Sequence, residues 1–168
     1  MNLNRKGITS VELLVSFIII STIVVSMYNL ILNYRNREQI EEINNEVIAY
    51  SNNLQEIIQT DLIQGHLVDV TNVSSTLRSA TLSFDNPSSY KTSISISPSS
   101  GVISYGRSGD TIRYEIPNIP DLTLSDESKI EYLEGSNGYL KITIILNHPN
   151  FPNGTYSFMI NAPVNYIY

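Results

Sequence analysis

Residues 35–64 read RNREQIEEINNEVIAYSNNLQEIIQTDLIQ, thirty positions without a proline or a glycine. Ile40, Ile43, Val47, Tyr50, Leu54 and Ile57 recur at alternating steps of three and four. That spacing draws one apolar stripe along an α-helix. Glu38, Glu41, Glu42, Glu46 and Glu56 take most of the remaining surface, and Gly65 ends the pattern. Such a stripe has two uses. It is the spine of a soluble domain, covered by a sheet, or it is a coiled-coil seam with another chain. It lasts only about three heptads, and the chain that follows is rich in short strands that need a surface to cover, which favours the spine.

Upstream, Leu13–Leu32 reads LLVSFIIISTIVVSMYNLIL and carries no charge. At about 1.5 Å per residue this run spans roughly 30 Å, the thickness of a bilayer's hydrocarbon core. Its polar residues are Ser16, Ser21, Thr22, Ser26 and Asn29. Serine and threonine are tolerated in lipid because they bond back to helix carbonyls. The run is longer than a signal-peptide core, and no A-x-A cleavage site follows it. A transmembrane helix over residues 8–34 is therefore expected, continuing into the amphipathic helix 35–64. A helix from Thr9 to Gln64 would be roughly 80 Å long. Asn29, Asn33, Asn44, Asn45, Asn52 and Asn53 are poor helix formers and predict a weak point near Asn29–Asn33.

Downstream of Gly65 the pattern changes to short alternating runs. Strands are predicted at Ala80–Phe84, Thr92–Ile96, Val102–Tyr105, Thr111–Ile116, Lys129–Leu133, Tyr139–Leu146 and Tyr156–Ile160. DNPSS, SPSSG, RSGD, SNG, NHPN and FPNG break them. In TIRYEI, Ile112, Tyr114 and Ile116 share one face, and Arg113 and Glu115 the other. That alternation suits an antiparallel sheet with one face buried. The soluble domain is expected to cover 35–168, with its sheet over 80–161.

Few residues point to catalysis. His66 and His148 are the only histidines, and no HExxH, nucleophile elbow or phosphate loop occurs. No enzyme, cofactor or metal site is expected. Asp121, Asp126 and Glu127 lie in a loop that could hold calcium, but oxygen ligands at such loose spacing are a weak signal, and a solvated acidic loop is the favoured reading. Asn72–Ser74 and Asn153–Thr155 fit the glycosylation sequon, a pattern frequent by chance. The net charge of -6, and the scatter of Arg78, Lys91, Arg107, Arg113, Lys129 and Lys141, argue against direct nucleic-acid binding. The chain has no cysteine and so no disulfide framework.

The anomaly is Glu12, inside the edge of the apolar run. A carboxylate there is costly unless offset, and no lysine or arginine follows it for 22 positions. A positive group on another chain, or one made by cutting the backbone nearby, would offset it. The stretch NRKGITSVELLVSFIII, Asn4–Ile20, resembles the N-terminus of type IV pilins and pseudopilins. In that family a basic leader ends in glycine, and the mature helix carries glutamate at its fifth position. Counting Ile8 as the first mature residue puts Glu12 fifth.

The resemblance implies a leader of residues 1–7 with basic Arg5 and Lys6, and cleavage by a prepilin peptidase between Gly7 and Ile8. It also implies N-methylation of Ile8 and pairing of Glu12 with the Ile8 amine of a neighbouring subunit. The implied fold is an α+β pilin-like roll, a long N-terminal helix packed on an antiparallel sheet through Ile40, Ile43, Val47, Tyr50, Leu54 and Ile57. The implied partners are other pilin or pseudopilin subunits, an inner platform membrane protein and an assembly ATPase, with membrane lipid before assembly. The implied location is the cell membrane, single-pass with the N-terminus cytoplasmic, and then a cell-surface filament. Ile8 stands where phenylalanine or methionine is usual, Ser10 replaces a common leucine, and Asn29 replaces the proline many major pilins carry. With no cysteine pair, the chain is most similar to minor subunits of competence (DNA-uptake) or secretion systems in Gram-positive bacteria. The alternative is an uncleaved, membrane-anchored extracellular binding or adhesin module.

Overall fold

The computed structural model describes residues 10–71, 73–107, 110–133 and 138–164. The chain divides into two compact units, Met1–Glu42 and Ile43–Tyr168. One helix, α1 (Ser10–Gln64), supplies the first unit's described structure and the start of the second. It runs without a break through Asn29–Asn33, so the weak point expected from the asparagines is not found. The cost of a few poor helix formers is tenths of a kcal/mol each, which a long helix absorbs through cooperativity.

In the second unit the strands form two antiparallel sheets rather than one. The first is a five-stranded meander in the order β1 (Leu67–Thr71), β2 (Ser79–Phe84), β3 (Tyr90–Ser97), β4 (Val102–Arg107), β5 (Asp110–Glu115). The second is built on β8 (Gly138–Asn147). β6 (Thr123–Leu124) and β7 (Lys129–Leu133) pair successive parts of one of its edges, and β9 (Thr155–Val164) pairs the other along its full length. A seam joins the sheets before β2 and at β7. There the Ile130 N–H donates to the Leu77 carbonyl, and Arg78 pairs with Asp126 at 2.8 Å.

The strand alternation places the core. Ala80, Leu82 and Phe84 on β2, Ile94 and Ile96 on β3, and Ile103 and Tyr105 on β4 are buried. So are Leu140, Ile142, Ile144 and Leu146 on β8, and Phe158, Ile160 and Ala162 on β9. Each set follows the period of two that puts one face inward. Against them lie Val47, Ser51, Leu54, Ile58 and Leu62 of α1. Ile43 and Tyr50 pack partly buried against the same core, and Ile40, in the first unit, is half-exposed. Ile57 differs from expectation: it is 39% exposed, while Ile58 is 0% exposed. β5 differs too. Ile112 is 55% exposed, and Tyr114 and Ile116 are half-buried, because β5 is the edge strand and lies past the rim of the core.

The helix ends where the backbone comes closest to the sheet. A Cβ on Gly65 would sit 2.7 Å from the Asp61 carbonyl and 2.8 Å from the Phe84 ring, so no larger residue fits without a shift. His66 then takes a left-handed φ of 55°, which turns the chain into β1.

Ile58→Ala should destabilise the full-length protein in detergent by about 2–5 kcal/mol, through lost burial and a cavity. Ile57→Ala should cost under about 1 kcal/mol, as half-exposed positions do. Denaturant unfolding of the two variants checks the ranking; equal losses would contradict this placement of the stripe.

Candidate functional site

Arg5, Lys6, Gly7 and Ile8 lie outside the described residues. Glu12 stands in the first turn of α1, where the helix dipole favours a negative charge. From Val11 to Leu32 every large apolar side chain is exposed, Val11 at 71% and Leu30 at 70%. An 18-residue window of this helix has a mean hydropathy of 2.2 and no burial within the protein. The helix is long and apolar enough to cross a membrane. Two of its hydroxyls are satisfied within the helix: Ser21 donates to the Phe17 carbonyl at 2.8 Å and Thr22 to Ile18 at 2.9 Å. A one-sided recess of about 510 Å³ opens further along, lined by Ser26, Asn29, Leu30, Asn33, Tyr34 and Arg37.

In the second unit the polar side chains on the inner face of α1 fasten it to both sheets. Ser51 Oγ donates to the Ile48 carbonyl at 2.9 Å, which leaves it to accept from the Tyr156 O–H of β9 at 3.0 Å. Gln55 Nε2 donates to the Met159 carbonyl at 2.9 Å. Six residues on, Asp61 receives the Tyr105 O–H of β4 at Oδ2 and faces the Tyr90 O–H of β3 at 3.5 Å. Tyr90 is itself stacked on Phe84, with Arg107 3.8 Å over its ring. Burial, and then the hydrogen bond and charge of Asp61, push the Tyr105 phenol well above its ordinary value. Burial also raises Tyr50 to about 12, and its hydroxyl finds no partner among the described residues. Burial and the Asp61 charge raise Tyr114 as well.

These contacts are structural. Asp61 lies in the same turn as Ile58 and Leu62, and tyrosines recur at 90, 105 and 114, but no spacing rule links them across four elements. The two histidines are held apart. His66 Nδ1 lies 2.8 Å from Asp85, and the buried His148 donates from Nε2 to the Pro120 carbonyl while accepting the Asn150 N–H at Nδ1. Asp126 is engaged by Arg78, and among the described residues no three metal-ligating side chains gather.

The tyrosines set an alkaline limit on stability. Their folded pKa values lie above the unfolded value of 10.0, that of Tyr50 at about 12. The stability these tyrosines contribute is therefore complete below about pH 10 and falls as pH rises toward about 12, because the unfolded chain releases protons first. Circular dichroism of the full chain in detergent should show this fall, and Tyr50→Phe with Tyr105→Phe should flatten it. At neutral pH Tyr105→Phe should cost about 1–3 kcal/mol, because it strips a donor from Asp61, while Tyr50→Phe should be nearly neutral. A slope unchanged by both substitutions would contradict these assignments.

Compared with known proteins, the chain matches no family model, no curated protein and no solved structure.

Proposed function

We propose that this chain is a structural minor pilin or pseudopilin, assembled into a type IV pilus-like filament for DNA uptake, secretion or adhesion. One juxtaposition carries the reading. The sequence RKGITSVE leads into a helix apolar enough to cross a membrane, its last three residues being the first of that helix, and later residues of the helix form the spine of an α+β unit. The pilin-like roll is the fold this reading assigns to the second unit.

On this reading residues 1–7 are a leader held on the cytoplasmic face, with Arg5 and Lys6 keeping it there. A prepilin peptidase cuts between Gly7 and Ile8, and Ile8 is N-methylated. The new amine is a cation four positions before Glu12 in the sequence. Two such chains offset each other's charges when the Ile8 amine of one meets Glu12 of the next, in a dielectric where either charge alone is expensive. The apolar run is held by lipid before assembly and by other subunits after it. A platform membrane protein and an assembly ATPase supply the machinery, and the second unit faces outward on the cell surface.

The test is the N-terminal mass of the protein extracted from its own membranes, with and without the prepilin peptidase. The expected result is loss of Met1–Gly7 and a methylated Ile8, both dependent on the peptidase. An intact leader in cells with active peptidase would overturn this function and leave an anchored binding module. Glu12→Leu should leave the cut at Gly7 intact while incorporation into filaments, read by shearing and immunoblot, falls strongly; unchanged incorporation would remove Glu12 from the assembly contact.

A further inference from the structure

We propose that the membrane helix also carries a pairing seam, Ser26–Asn29–Asn33, through which two copies of this chain associate in parallel and in register within the bilayer. The proposal rests on the membrane reading above and names a partner for one face of that helix.

The apolar helix does not treat its polar residues alike. Ser21 and Thr22 spend their hydroxyls on carbonyls four residues back. Ser26, Asn29 and Asn33 make no side-chain hydrogen bond among the described residues, and all three are exposed. A carboxamide brings two N–H donors and a carbonyl acceptor. In hydrocarbon the groups of Ser26 and Asn29 need partners, while Asn33 stands one residue past the end of the apolar run at Leu32 and continues the same face.

The three residues are also on one side. Steps of three and four place Ser26, Asn29 and Asn33 on a single helix face, and they line the same recess. The spacing from Ser26 to Asn33 is one heptad, with Asn29 at its intermediate seam position. Large apolar residues fill the opposite side at Val24 and Ile31. One face is therefore suited to lipid and the other to a protein.

The chemistry of the seam selects its occupant. It is uncharged, and each member both donates and accepts, so the surface complements itself. In a parallel pair about a two-fold axis each asparagine meets its own copy, and both amides are used. An anionic partner would match Arg37 alone. Arg37 closes the outer end of the recess, beyond the apolar run, where water screens it from its counterpart.

The chain has no cysteine, so one substitution gives one thiol per chain. The full, uncleaved protein is reconstituted at low density in phosphatidylcholine vesicles as Ser26→Cys, Val24→Cys or Ile31→Cys, and mildly oxidised. Insertion is read separately by resistance to alkaline extraction. The expected result is a disulfide-linked dimer from Ser26→Cys and little from Val24→Cys or Ile31→Cys. Adding Asn29→Leu and Asn33→Leu to Ser26→Cys should lower that dimer about tenfold at equal insertion. Inserted protein that cross-links equally from all three positions, or that is indifferent to loss of the asparagines, overturns the seam. Protein that fails to insert overturns the membrane reading itself.

Discussion

The second unit depends on one contact, the burial of Val47, Leu54, Ile58 and Leu62 against two sheets at once. Neither sheet closes on itself. Each presents one apolar face, and among the described residues the unit has a single α-helix to cover both. Every fully buried large aliphatic side chain moved out of water contributes about 1.5–3 kcal/mol, so four on one helix outweigh any single hydrogen bond in the domain. The hydrogen bonds of Ser51, Gln55 and Asp61 act differently. They fix the rotation and height of the helix over β9, β3 and β4, which greasy contact alone leaves loose.

The helix and its role as a spine were legible in the sequence because the apolar stripe is regular. Its angular position was legible only in part. An alternation of threes and fours shows that one side is apolar, but leaves open which flank of the stripe faces the core. The stripe read from the sequence lies on the core at Val47 and Leu54 but beside it at Tyr50 and Ile57, which stand three residues further on and so about 60° to one side. Ser51 and Ile58 take the inward positions instead. The polar Ser51 on that face was invisible to an apolar pattern, and it is accommodated because Tyr156 reaches it.

The sheets divide along similar lines. Strands with alternating apolar residues were found where expected, Lys129–Leu133 with identical bounds and the others within a few residues. β1 escaped notice because the ladder is irregular between Leu67 and Asp69, which breaks the period of two. β6 is two residues long and has no pattern to show. β5 shows the opposite failure: its alternation is good, yet its apolar face is largely open. Strand order decides that, and no local pattern encodes strand order. Asp110, Arg113 and Glu115 put charges on this edge strand, a common guard against pairing with another sheet.

In the first unit the informative residues are those that break the apolar rule. Most of α1 from Val11 to Leu32 could be exchanged for other aliphatic residues without loss of a bilayer-spanning length. Glu12 and Asn29 could not, because in a bilayer each would bring polar groups into a medium that penalises them, and Asn33 stands one residue past the run. The hydropathy of a segment says that it can sit in lipid; its polar exceptions say what it meets there. Glu12 was conspicuous in the sequence because a charge interrupts an uncharged stretch. The amides stood out less, since asparagine near the end of a span also reads as a helix weakness. The unbroken helix removes that explanation. What remains is their alignment with Ser26 on one face, and alignment over successive turns is the property that lets one helix recognise another.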